Sequence, residues 1–180
     1  MPEFLAADEA QALVELVRAL PLAEARYKDY TARRRVASFG GKFDYDTLTL
    51  EHAPPIPAAF MPWVERVSRE FEVDVATFAH LLAAEYRPGT PLGWHRDVPD
   101  FESIVGLSLL GDATMRFRRY PHRPGERSAA LRLALPPRSL YVIEGDARWR
   151  WQHSVSPTTE LRYSITLRTL RGTPLLLREA

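Results

Sequence analysis

Six short apolar stretches, separated by turn residues, occupy the second half of this 180-residue chain. They are the runs 78–86, 103–109, 114–118, 129–135, 140–143 and 163–169. Such a series is typical of an antiparallel double sheet that closes into a barrel or jelly roll. Because the preceding region has helical patterns, we expect an α+β protein: a double-stranded β-helix (jelly-roll) core with N-terminal helices packed on one outer face.

Two segments before residue 78 have apolar residues at helical spacing. The first begins at a candidate capping box at Asp8 and ends at Pro21, which cannot continue a helix. The second begins near Pro57 and places Trp63 and Val67 on its buried side. We therefore predict two amphipathic helices whose aromatic residues belong to the core rather than to a cofactor site.

The last apolar stretch has a polar face where a core strand would be apolar. Period-two alternation places on that face the side chains of Arg162, Ser164, Thr166 and Arg168. Two inward guanidiniums need anionic partners, because an unpaired buried charge is costly. Since arginine binds carboxylates through paired hydrogen bonds, a dicarboxylate ligand fits this row.

One group of residues has the composition of a metal site: His95 and Asp97, followed 58 positions later by His153. Two imidazoles and one carboxylate can bind one side of a divalent iron and leave the other side open. In extended backbone, residues two apart point the same way, so His95 and Asp97 could reach one ion. A lone His-x-Asp is usually an ordinary surface segment, but the third ligand and the arginine row favour metal binding.

Composition limits the remaining classes. The net charge is only +1, so no strong global field attracts nucleic acid or membrane, and the absence of cysteine excludes disulfides and thiolate metal sites. There is no signal segment and no apolar run near ~20 residues, so a cytoplasmic location is the default expectation.

Length and hydrophobic content predict one domain over 1–180, with helices and a lid over 1–77 and the jelly-roll core over 78–171. The arginines at 33–35 fit a solvated surface, with phosphate binding as the alternative.

Three motifs resemble those of the AlkB-type 2-oxoglutarate- and Fe(II)-dependent dioxygenases. They are Tyr86-Arg87-Pro88-Gly89 leading into Trp94-His95-Arg96-Asp97, the segment 145–153 that ends at His153, and the Arg-x-Ser-x-Thr-x-Arg row at 162–168. They span most of the C-terminal half, and the paired arginines after the distal histidine are the most characteristic part. The resemblance implies Fe(II) as the metal, 2-oxoglutarate as the cosubstrate and O₂ as the oxidant.

Carried over by position, the resemblance implies roles for seven residues. The catalytic iron ligands are His95, Asp97 and His153. The distal carboxylate of 2-oxoglutarate is held by Arg162, Ser164 and Tyr86, and Arg168 lies near the end that chelates the metal. Ala84 stands where many relatives have asparagine, so a hydrogen bond to the metal-side carboxylate is either missing or made by another group.

The resemblance also implies a lid over the substrate at about residues 33–57. Phe43 and Tyr45 are the candidates for stacking on a flipped-out base, which recovers ~1–3 kcal/mol per stacked base. Trp94 flanks the metal ligands, where it lines the pocket or packs the barrel. Repair members often have an acidic residue at the position of Pro99, so Asp100 is the candidate that replaces it.

These observations favour oxidative demethylation of N-alkylated bases in single-stranded DNA or RNA, with no membrane and no obligate protein partner. Two alternatives stay open. One is a hydroxylase or demethylase of a protein or small molecule. The other is a jelly-roll binding module that keeps the metal ligands without turnover, which iron-dependent succinate formation would distinguish from both enzymes.

Overall fold

The computed structural model describes residues 1–27, 30–44, 49–122 and 130–175, with side chains outside 25–32 and 41–52. The helices are α1 (Ala7–Arg18), α2 (Met61–Phe71) and α3 (Gly145–Trp149), with 3₁₀ turns at Ala58–Phe60 and Val75–Thr77. The strands are β1 (Ala23–Tyr27), β2 (Tyr30–Phe39), β3 (Gly41–Asp44), β4 (Thr49–His52), β5 (Phe78–Tyr86), β6 (Leu92–His95), β7 (Phe101–Leu110), β8 (Ala113–Arg119), β9 (Leu131–Leu135), β10 (Leu140–Ile143), β11 (Trp151–Val155) and β12 (Arg162–Leu170). No helix in the described ranges has the length and hydropathy needed for a membrane crossing.

Two antiparallel sheets form the core of the molecule. The larger has the order β1-β2-β5-β12-β7-β10 and the smaller has the order β6-β11-β8-β9, while β3 and β4 form a separate hairpin. From β5 onward the chain passes repeatedly between the two sheets, which is the connectivity of a double-stranded β-helix. The predicted fold class is therefore confirmed.

Both N-terminal helices pack on the outer face of the larger sheet. Leu13 and Val17 of α1 and Trp63 of α2 share one core cluster with Ile165 and Leu167 of β12. That outer face is apolar because it carries the odd-numbered residues of β12, whereas the polar row faces the other way. The helices thus leave the inner face of the sheet available for a ligand.

The boundaries of the first helix differ slightly from the prediction. It begins at Ala7, and the Glu9 carboxylate accepts a hydrogen bond from the Ala6 backbone N–H at 2.8 Å. Asp8 is therefore inside the helix rather than its cap. The helix ends at Arg18, before Pro21.

Four strands were absent from the predicted core or placed outside it. β6 and β11 are short and rich in polar and aromatic residues, so they lack the apolar alternation that identifies a strand. β1 and β2 come before residue 78, yet they extend the larger sheet, with Val36 opposite Ala84. The core therefore begins well before the predicted boundary.

Candidate functional site: a metal and cosubstrate cavity

A cavity of about 930 Å³ lies between the two sheets. The inner face of the larger sheet lines one side, through β2, β5 and β12, and residues of β6 and β11 line the other. Small-molecule sites are commonly clefts of ~300–1,000 Å³. The cavity can therefore hold more than one small ligand.

The three predicted metal ligands meet in this cavity. His95 and His153 are opposite each other on β6 and β11, with ring centroids 4.2 Å apart. Asp97 follows β6, and its Oδ2 lies 3.4 Å from His153 Nε2. One ligand atom from each residue lies within 4.8 Å of the other two. His95 Nδ1 is 2.9 Å from the Gly93 carbonyl oxygen, which leaves His95 Nε2 for an ion.

Burial prepares these groups for a metal. It lowers the pKa of His153 to about 3, with neighbouring His95 adding to the effect, and it also lowers the pKa of His95. Burial alone would raise the pKa of Asp97, but Arg168 and the two imidazoles hold it well below its usual range. At neutral pH the site therefore offers two neutral imidazoles and one carboxylate, a donor set that suits Fe(II).

Arg168 fixes the orientation of the Asp97 carboxylate. Its Nη2 and Nε donate to Asp97 Oδ1 at 3.0 and 3.3 Å, and its Nη1 lies 3.1 Å from His80 Nδ1. Burial, with Arg168 second, lowers the pKa of His80 to about 3, so the neutral ring can accept this hydrogen bond. Oδ1 is thus occupied and Oδ2 faces the imidazoles.

Arg162 lies in the same cavity with unused hydrogen-bond donors. It is 1% exposed, and its Nε donates to Ser108 Oγ at 3.0 Å. Its Nη1 and Nη2 are buried and have no partner among the described residues. A buried guanidinium in this state matches a carboxylate, so the residues present fit one end of a dicarboxylate such as 2-oxoglutarate. Ser164 and Tyr86 also line the cavity, with the Tyr86 ring 5.0 Å from Arg162 Cζ.

Sequence reasoning missed Arg34. Within the arginine cluster, Arg33 is exposed and Arg35 pairs with Glu85 at 3.2 Å, but Arg34 is buried and lines the cavity. Burial would raise the pKa of Tyr86, whereas the Arg34 and Arg162 guanidiniums lower it, and Arg34 contacts the phenol oxygen. Strand alternation in β2 was the signal that could have separated Arg34 from its two neighbours.

Tyr141 of β10 was also missed. It faces Gly106 of β7 in the larger sheet, and a Cβ at Gly106 would lie only 2.0 Å from Tyr141 Cζ. The phenol ring therefore packs directly on the glycine backbone and forms one wall of the cavity. Burial raises the pKa of Tyr141 to about 12, so the phenol keeps its proton as a donor.

The remaining candidate residues lie partly inside and partly outside the cavity lining. Trp94 and Ala84 line the cavity, whereas Asp100 is outside its lining. Phe43 lies in β3, but its side chain is outside the described residues, and so is Tyr45 as a whole. The lid role of these two aromatics stays a prediction.

A double-stranded β-helix with two histidines and one aspartate at the mouth defines a class of metal-dependent oxygenases. The model of the 2OG-Fe(II) oxygenase superfamily matches residues 1–168, and the chain belongs to this family. The family uses Fe(II), 2-oxoglutarate and O₂, which confirms the cofactors predicted from the sequence motifs.

Curated relatives include the "Alkylated DNA repair protein ALKBH8 homolog" of Arabidopsis thaliana, which is 30% identical over 97% of this chain and 58% of its own length. Another is the tRNA (carboxymethyluridine(34)-5-O)-methyltransferase ALKBH8 of Mus musculus, 28% identical over 86% of this chain and 23% of its own length. The chain therefore spans less than two thirds of either relative.

Two solved structures share the fold. The structure of OsALKBH1 superposes with a TM-score of 0.75 at 17% identity, covering 94% of this chain and 95% of that one. A prolyl-4-hydroxylase from Pseudomonas putida superposes with a TM-score of 0.64 at 15% identity, covering 95% of this chain and 91% of that one. At such identities the likeness concerns the fold.

Proposed function

We propose that this chain removes methyl groups oxidatively from N-alkylated bases in single-stranded DNA or RNA. The observation that supports the reaction is one cavity with two complementary ends: a cluster of two histidines and an aspartate, and a buried guanidinium with unused donors. In this proposal iron is held by His95, Asp97 and His153, and the distal carboxylate of 2-oxoglutarate is held by Arg162, Tyr86 and Ser164.

Each group then has a distinct task. Fe(II) bound with 2-oxoglutarate and O₂ supplies oxidation of a methyl C–H bond, and the products are succinate, carbon dioxide and an N-hydroxymethyl group that leaves as formaldehyde. Arg168 keeps Asp97 ionised and oriented, while Arg162 sets the position of the cosubstrate along the cavity. Tyr141 and the apolar lining exclude water from the reacting methyl group.

The nucleic-acid substrate has two supports. The names of the relatives refer to alkylated DNA repair and to a tRNA methyltransferase. The side of the cavity toward β2 is lined by apolar residues, Val36 and Phe39 among them, together with Leu82 and Pro54. Apolar walls of this kind suit a flat, extruded base.

The test is aerobic incubation of the purified chain with Fe(II), 2-oxoglutarate and oligonucleotides that contain 1-methyladenine or 3-methylcytosine. We expect mass spectrometry to show loss of the methyl group and formation of succinate in equal amount. Asp97→Ala should give neither demethylated oligonucleotide nor succinate. Succinate without methyl loss would overturn the nucleic-acid substrate in favour of a protein or small molecule. Absence of both, from a chain that still binds metal, would indicate a binding module.

A further inference from the structure

The outer face of the smaller sheet is strongly basic. This face carries Arg116 and Arg118 of β8 and Arg132 of β9, and strands β6, β8, β9 and β11 contain no aspartate or glutamate. Because His153 points into the cavity, the residues beside it in sequence, Gln152 and Ser154, point outward. Their partners on β8, Arg118 and Arg116, point the same way, and so does Arg132, which is opposite Arg116. A chain with a net charge of only +1 therefore has a concentrated positive surface.

The arginines of this surface are held in place by neutral groups. Arg116 and Arg118 have Cζ 5.1 and 4.5 Å from the Trp94 ring centroid, and their Nε atoms donate to Ser154 Oγ and the Gln152 amide oxygen at 3.2 and 2.8 Å. Stacking and one Nε bond orient each guanidinium, and its Nη groups have no hydrogen-bond partner among the described residues.

The same pattern continues to the mouth of the cavity. Arg96 is exposed, has its Cζ 3.9 Å from the Tyr120 ring centroid and lines the cavity, as Trp94 does. In the part of the chain that the structure describes, none of the four arginines Arg96, Arg116, Arg118 and Arg132 has an ion pair with a carboxylate. The basic surface is thus continuous with the entrance to the metal site.

The opposite side of the molecule has a different charge pattern. Helix α1 carries Asp8, Glu9 and Glu15 against one arginine, and α2 carries two glutamates and two arginines. Both helices pack on the larger sheet, away from β8 and β9. The helical side therefore lacks the excess of arginine over carboxylate that the outer face of the smaller sheet has.

We propose that an arginine face, made of Arg96, Arg116, Arg118, Arg132 and Trp94, binds the phosphodiester backbone of the single strand whose modified base enters the cavity. Two residues along a strand are about 7 Å apart and adjacent strands about 5 Å, so the guanidiniums form a closely spaced row. Phosphate contacts of this kind position a strand without reading its sequence. This inference rests on the proposed nucleic-acid function.

The test measures binding of an unmodified, fluorescently labelled single-stranded DNA of about 15 nucleotides over a range of salt concentrations. The variant is Arg116→Gln/Arg132→Gln, and the matched control is Arg18→Gln/Arg69→Gln on the helical side, which removes the same charge. We expect the first to weaken binding at least tenfold and to reduce the slope of log K against log salt by about 1.4, since each phosphate contact contributes ~0.7. The control should bind like the wild type.

Equal behaviour of the two double variants would overturn the inference. If Arg116→Gln/Arg132→Gln does not fold, Arg132→Glu on the exposed edge strand gives the same readout. The inference would also be overturned if the chain bound phosphatidylserine vesicles or polyglutamate more tightly than the oligonucleotide and Arg116→Gln/Arg132→Gln weakened that binding. If the wild type demethylates no oligonucleotide, the proposed function fails, but the binding assay still tests the arginine face. If the wild type demethylates its substrate and both double variants bind DNA like the wild type, the inference fails and the proposed function stands.

Discussion

Replacing Arg162 by methionine should separate ligand binding from stability. Its unpaired Nη1 and Nη2 can make two charge-assisted hydrogen bonds to a carboxylate, each contributing ~1.5–3 kcal/mol. Loss of both, about 3–6 kcal/mol, corresponds to about a hundredfold to ten-thousandfold weaker binding of 2-oxoglutarate. Calorimetry with the Mn(II)-loaded chain measures this dissociation constant.

The same change should not destabilise the ligand-free chain. Methionine removes a buried charge whose partners are incomplete, which relieves about 1 kcal/mol and raises the melting temperature by about 2–4 °C for a protein of this size. The control ligand is 2-oxopentanoate, which lacks the second carboxylate, so its affinity should hardly differ between wild type and variant. A fall in melting temperature of several degrees, or an equal loss for both ligands, would show that Arg162 has a structural role instead.

Three further changes test the surroundings of the site. Arg34→Gln should weaken 2-oxoglutarate binding, measured by calorimetry, but less than the replacement of Arg162 does. Because Arg34 acts through the Tyr86 phenol, the change should have little further effect in a Tyr86→Phe background, and additive effects of the two changes would contradict this. Gly106→Ala should lower the melting temperature by several degrees, because its Cβ would overlap the Tyr141 ring, and an unchanged melting curve would refute the close packing. Arg168→Lys loses the two hydrogen bonds to the Asp97 carboxylate and should weaken Mn(II) binding severalfold, measured by calorimetry. Unaltered Mn(II) affinity would argue against a role of Arg168 in positioning Asp97.

Much of the fold was predictable because strand alternation is a local property. The runs 78–86 and 140–143 have the observed bounds of β5 and β10, and the polar row of β12 was placed on the correct face. β6 and β11 were missed because four- and five-residue strands rich in polar and aromatic residues resemble loops. Their strand character comes from pairing with each other and with β8, which is tertiary information.

The candidate site was predictable where residue type limits the chemistry. Two histidines, one aspartate and two inward arginines have few uses in a buried face. Arg34 and Tyr141 could not be found in this way, because their place in the cavity depends on the pairing of β2 with β5 and of β10 with β7. The arginine face was hidden for a related reason: a net charge averages over surfaces that only the fold separates.

The most direct test of the whole account is an anaerobic titration of the chain with Fe(II) and 2-oxoglutarate, followed through the visible absorption of an iron–2-oxo acid chelate. We predict one equivalent of iron, with the chelate absent in Asp97→Ala because that change removes the carboxylate ligand of the site. Wild-type absorption and stoichiometry in Asp97→Ala would contradict the assignment of the metal centre.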